Sequence, residues 1–297
     1  IGDSVVRTSD RIWPSSKRLR TSCVWSAAVR LKLGRSEEQL PLACVLEGGT
    51  WAAGRQIDCI INAAAYTAVD LAEDHPDEAF LVNAKAPALL AELAAARNIP
   101  LLHISTDYVF DGKLDRPYRE DDPVGPLGVY GSSKLAGELA VRAAAPRHII
   151  LRTAWVVSTY RNNFLKTMLR LAAERPELSV VADQFGCPTG AHDIADALRT
   201  MALAHLTTTD APSGTYHFVN AGSTSWYGLA EAIMQASKQC GGPHVPVRPI
   251  GSADYPQRAS RPANSRLATD RIARDFAIRP RPWQTAITEI VSEYLAP

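Results

Sequence analysis

The 297-residue chain has no C-x-x-C pair: its five cysteines, Cys23, Cys44, Cys59, Cys187 and Cys240, are odd in number and widely spread. Neither a disulfide framework nor a cysteine-ligated zinc site is indicated, and a reducing cytoplasm is the expected compartment. Charge of either sign is not in excess, with 32 Lys+Arg against 31 Asp+Glu and a formal net charge of +1. Such a balance offers no field to nucleic acid or to an anionic membrane surface, so neither is expected as a partner. No run approaches the roughly 18 apolar residues of a spanning helix. No period of about 20 to 50 residues repeats, no tract is of low complexity, and no metal ligand set is assigned.

What is present is a hydroxyl, a phenol and an ammonium. Tyr130 and Lys134 stand four apart in a run, 128–145, whose alanines, Leu135 and Leu139 recur at helical spacing, so both side chains share one helix face. A phenol is a poor acid at neutral pH until a neighbouring positive charge favours its ionised form. Lys134 is placed to supply that charge. Thr106 follows an apolar strand over 99–105, at the carboxyl end where open parallel sheets keep their ligands. The three groups are therefore expected to converge on one carbonyl.

Thr106 with Tyr130-x-x-x-Lys134 resembles the catalytic pattern of the short-chain dehydrogenase/reductase superfamily. Six phrases narrow the resemblance to the dTDP-4-dehydrorhamnose reductase family: INAAAYTAVD at 61–70, STDYVFDG at 105–112, YGSSK at 130–134, RTAW at 152–155, QFGCPT at 184–189 and RPANS at 261–265. The resemblance implies an α/β fold, a doubly wound Rossmann-type parallel sheet with a smaller C-terminal substrate-binding lobe. Residues 1–155 would form the dinucleotide-binding domain, with 190–221 returning to it, and 156–189 and 222–297 the lobe. It further implies NADPH or NADH as cofactor, reduction of the 4-keto group of a dTDP-linked 6-deoxy sugar, and a homodimer, as is common in the family.

Carried over residue by residue, the resemblance makes Tyr130 the proton donor and, with Lys134, a cofactor contact. Lys134 lowers the phenol's pKa and holds the nicotinamide ribose, and Thr106 orients the keto oxygen. The turn of Ala63, Ala64, Ala65, Tyr66 and Thr67 lies along the cofactor. Thr106, Asp107, Trp155, Gln184 and Arg261 contact the nucleotide sugar, with Arg261 as the diphosphate ligand. Asn83 is either a relay residue or a surface asparagine, and Cys187 packs as a small apolar residue. Two other readings stay open. One is a nucleotide-sugar epimerase or dehydratase that retains NAD; the other is an NADP-binding regulatory subunit resembling that of methionine adenosyltransferase.

Residues 1–57 depart from this resemblance. The family pattern requires a first strand, a Gly-x-x-Gly-x-x-Gly turn at a helix N-terminus and a second strand that reads the ribose. Instead, three of the six tryptophans fall here, and 11–36 holds seven Lys/Arg and no acid. A targeting peptide has this composition, but it leaves no room for half a sheet. A displaced phosphate loop at Gly48-Gly49-Thr50-Trp51-Ala52-Ala53-Gly54 puts Trp51 where backbone must meet pyrophosphate. A coding frameshift rejoined near Ile57, or residues wrongly assigned, accounts for normal length without a motif and is the preferred explanation. The choice between NADPH and NADH is normally written in this segment and stays open.

Downstream, helices are expected over 76–97, 128–145, 162–175, 191–205, 226–239, 269–277 and 283–295, the first kinked by Pro87. Strands are expected over 57–63, 100–105, 148–156, 178–182 and 216–219. Residues 111–126 read as a charged, proline-bearing cover or partner surface, and 241–262 as a long functional connection.

Overall fold

The computed structural model describes residues 24–25, 28–30, 39–40, 57–255 and 258–296. Short runs of β-branched and leucine residues, buried on both faces, form the centre of a six-stranded sheet. Its order is Gly214–His217, His148–Thr153, Leu101–Thr106, Ile60–Asn62, Ala28–Arg30, Gln39–Leu40. The first four strands run parallel. Ala28–Arg30 is antiparallel to both of its neighbours, so the sheet departs from the all-parallel expectation at this edge. The Gly48–Gly54 stretch lies outside the described residues.

Period-two alternation splits the core across the sheet. Ile60, Leu101 and Ile150 pack against 76–96 and helix Val129–Ala144 on one face. Ile61, Leu102, Ile149 and Leu151 meet helices Ala191–Thr207 and Asp270–Phe276 on the other. A further core joins helices Phe164–Glu174, Trp226–Gln239 and Trp283–Leu295 to the parallel pair Leu178–Val181 and Val247–Ile250. Val247–Ile250 lies inside the stretch expected to be a connection. Pro246 and Pro249 mask it, yet prolines are tolerated at the edge of a two-stranded ladder.

The segment 76–96 is one continuous helical stretch in three parts: Pro76–Phe80, a π-helical turn Leu81–Lys85, and Ala86–Ala96. Pro87 has no N–H to offer the carbonyl four residues back, that of Asn83, and the widened turn absorbs the mismatch. By length and composition this stretch could cross a membrane, although Asn83, Lys85 and Glu92 interrupt its apolar run. Its apolar face is core, with Ala79, Val82, Ala86, Leu90, Ala91 and Ala94 all buried.

Residues 111–126 are anchored rather than a free cover. Tyr118 is buried, stacks on Phe110 at 4.2 Å, and exchanges backbone hydrogen bonds with Arg266 and Ala268. Arg116 grips Asp122 with two nitrogens, at 2.7 and 2.8 Å. The segment thereby ties the sheet to the C-terminal stretch that contains Asn264–Ser265.

Candidate active site

Strand Leu101–Thr106 delivers Thr106 to its carboxyl end, and the next residues turn at once into Asp107–Val109. The Thr106 hydroxyl accepts from the Tyr108 amide at 3.2 Å and donates to Asp107 Oδ1 at 3.1 Å. Tyr130 lies in the first turn of helix Val129–Ala144 with its ring edge-on to Tyr108, 5.3 Å between centroids. Gly131 allows this approach: a Cβ there would overlap the Tyr108 carbonyl oxygen. The Thr106 hydroxyl lies near enough to the Tyr130 phenol to favour its ionised form.

Burial pushes the Tyr130 phenol up to about 12, the Asp107 carboxylate adds to the rise, and Thr106 opposes it. The Lys134 ammonium is held by the strand: Nζ donates to the Ile104 carbonyl at 2.7 Å. Pro100, four residues earlier, accepts from Ile60, so by period two the Ile104 carbonyl points to the same side, past the end of strand Ile60–Asn62. Lys134 satisfies an acceptor that the ladder leaves open. Burial draws its own pKa down to about 8, against the pull of Glu138.

Asp107 is 3% exposed, and burial pushes its carboxyl up to about 6, opposed by hydrogen bonds from Ser265 and Thr106. Its other oxygen, Oδ2, is buried with no partner among the described residues. Arg261 reaches the same region, since its charge acts on Tyr108 together with that of Asp70. One guanidinium nitrogen of Arg261 donates to Asp70 Oδ2 at 2.7 Å. The other, Nη1, is buried with no partner among the described residues. An unused charged donor suits an anion.

The turn after strand Ile60–Asn62 divides. Ala63 and Thr67 are exposed, and the Ala64 amide donates to the Asn62 side chain at 3.0 Å. Small residues at a strand's carboxyl end leave room for a dinucleotide. Tyr66 departs from that expectation: its side chain is 0% exposed in the core, and its amide and carbonyl bond to the Asn83 side chain at 2.8 and 3.1 Å. Ala65 and Tyr66 are also paired with Val24–Trp25, so their backbone belongs to a ladder. Asn83, which could have been a surface residue, is 0% exposed and also donates to Ser133 Oγ at 3.0 Å.

Trp155 takes a left-handed backbone, φ 48°, which is a strained conformation for a bulky residue. Its ring stacks on Trp226 at 3.5 Å and lies so close to Gly186 that a Cβ there would overlap it. Gln184 turns its amide to Ser252 Oγ, at 2.9 Å. Thr189 donates to the Cys187 carbonyl at 2.9 Å and is fully buried. Cys187 packs in the core as expected.

Sequence reading passed over several partners. Glu138 and Arg152 form a buried two-nitrogen pair, at 2.9 and 2.7 Å. Glu138 repeats the four-residue step from Tyr130 to Lys134, which was the available signal. Asp70 and Trp226 carried none, because their partners are distant in sequence.

Comparison with known proteins agrees with this geometry. The family model described as RmlD substrate binding domain matches residues 49–296. A shorter match, to a protein family of unknown function, covers residues 24–67. The dTDP-4-dehydrorhamnose reductase of Sinorhizobium fredii is 48% identical over 79% of this chain and 79% of its own. That of Escherichia coli K12 is 42% identical over 80% and 79% respectively. Among solved structures, the Bacillus anthracis dTDP-4-dehydrorhamnose reductase in complex with NADP superposes with a TM-score of 0.78 at 33% identity, covering 86% of this chain and 87% of that one. The chain belongs to the dTDP-4-dehydrorhamnose reductase family.

Proposed function

We propose that this chain is an NAD(P)H-dependent oxidoreductase that reduces the 4-keto group of dTDP-4-dehydro-6-deoxy-L-mannose to dTDP-L-rhamnose. The observation that carries the reading is Thr106 at the carboxyl end of its strand, acting on the Tyr130 phenol, with Lys134 buried one turn along the same helix. The cofactor, NADPH or NADH, supplies hydride to the carbonyl carbon. Tyr130 gives its proton to the sugar oxygen, and Thr106 orients that oxygen. Ala63, Ala64, Thr67 and Lys134 hold the cofactor, with Ala65 and Tyr66 backing the turn. Asp107, Trp155, Gln184 and Arg261 hold the nucleotide sugar, and the free nitrogen of Arg261 supports a diphosphate contact.

In this reading 1–155 with 190–221 serves the cofactor, and 156–189 with 222–297 serves the sugar. Remote binding energy from the nucleotide keeps the carbonyl in reacting geometry. We also propose a homodimer in the cytoplasm; the free thiols of Cys59, Cys187 and Cys240 suit a reducing compartment. Purified chain with the dTDP-4-keto sugar is expected to consume reduced cofactor in equal amount, followed by nicotinamide absorbance. An epimerase or dehydratase consumes none, and a regulatory subunit binds cofactor without turnover; either result overturns the proposal.

A further inference from the structure

The helix face that carries Tyr130 and Lys134 carries a third ionisable group at the same spacing, Glu138. Its carboxylate is fully buried. Oε1 accepts from Ser105 Oγ at 2.5 Å and from Arg152 Nε at 2.9 Å, and Oε2 accepts from Arg152 Nη2 at 2.7 Å. Arg142 stands further off, at 3.9 Å. Arg152 is 2% exposed, reaches the Glu120 carbonyl at 3.4 Å and lies over the Phe110 ring at 5.0 Å. A buried ion pair seldom adds net stability over apolar residues of similar size. Stability alone gives no reason for a carboxylate one turn beyond a buried ammonium.

The surroundings of Lys134 supply one. From strand Leu101–Thr106 it faces His103, kept neutral by burial and by Lys134 itself and hydrogen-bonded to Asn62 at 3.0 Å. The turn beyond that strand brings Asp107 and Tyr108, and strand His148–Thr153 brings Arg152, already engaged by Glu138. On its own helix stand Tyr130 and Glu138. Glu73, before the helix, is occupied by the Val129 amide at 2.8 Å, and Asp77, Glu78, Lys85 and Glu92 on 76–96 are exposed. Among these groups Glu138 is the one that opposes the effect of burial on the lysine.

We propose that Glu138, fixed by Arg152 and Ser105 on the next turn of the same helix face, is a positioning residue for the reduction: it keeps the Lys134 ammonium charged one helical turn from Tyr130. The inference rests on the assignment of Tyr130 and Lys134 to the reaction. Glu138 touches neither substrate nor cofactor.

The test is the pH profile of kcat, with KM for the nucleotide sugar, for the native chain, Lys134→Met, Glu138→Gln and the double variant Glu138→Gln/Arg152→Gln. Circular dichroism checks that each variant is folded. Glu138→Gln leaves Arg152 buried without a counter-charge and is prone to unfold; the double variant removes both charges and decides the matter if the single one fails. With Glu138 neutralised, the alkaline limb moves to lower pH by on the order of one unit, since a nearby opposite charge is lost, while KM stays near native. A folded Glu138 variant whose alkaline limb does not move overturns the proposal. Near-native turnover by Lys134→Met overturns instead the site assignment beneath it.

Discussion

At Tyr130 two requirements pull in opposite directions. The phenol must be sheltered from water to transfer its proton to the substrate alone, yet shelter pushes its pKa up to about 12. Thr106 is the neighbour that pulls it back, while the Lys134 ammonium, one helical turn along, donates to the Ile104 carbonyl. The i, i+4 step made Tyr130 and Lys134 readable together, but spacing says nothing of where an ammonium finds its acceptor. Tyr130→Phe removes the proton and little else, because the ring and its edge contact with Tyr108 remain. Turnover is expected to fall by about 10²- to 10⁴-fold, with nucleotide-sugar binding by calorimetry largely intact. Near-native turnover would identify a different acid.

Between helices, the feature that sets the site is the close approach of 76–96 and Val129–Ala144. Pro87 withdraws a donor from the Asn83 carbonyl, the π-helical turn swings it toward the neighbouring helix, and Gly137 is the residue it meets. A Cβ at Gly137 would overlap that carbonyl oxygen. Alanine is favoured over glycine in a helix by about 1 kcal/mol, while overpacking costs about 1–3 kcal/mol. Here the obstacle is backbone, which cannot rotate away, so overpacking wins. Gly137→Ala should lower the urea midpoint; a raised midpoint would mean that the helices have room to spare. The helices themselves could be read from composition, and Pro87 did announce an irregularity. That Asn83 is buried at it could not be read, because its partners Tyr66 and Ser133 lie 17 and 50 residues away.

Across the entire fold, the parallel sheet and its flanking helices were readable from the resemblance that the six phrases carry. The edge of the sheet beyond Ile60–Asn62 was not, since residues 1–57 carry no pattern that assigns direction to Ala28–Arg30. Nor was the distribution of buried histidines, which sets how the molecule responds to acid. His103 and His217 are both 0% exposed. Burial lowers both, His217 to about 3, with Arg152 adding to the fall. In the unfolded chain they bind protons near the ordinary value of about 6.5. Between that value and the folded one the unfolded state holds more protons, so stability is intact above about pH 6.5 and drops as pH falls. Each contributes a slope of about 1.4 kcal/mol per pH unit. Asp107 works the other way: raised to about 6, it binds a proton more readily when folded, and its contribution is lost as pH rises through that value. One carboxyl does not offset two imidazoles. Urea unfolding at pH 7 and at pH 5 should show the lower stability at pH 5, and His217→Gln should flatten that difference by one proton's worth of slope. An unchanged slope in the folded variant would mean that His217 is already charged inside the native protein, against its position beside Arg152 and under Tyr118.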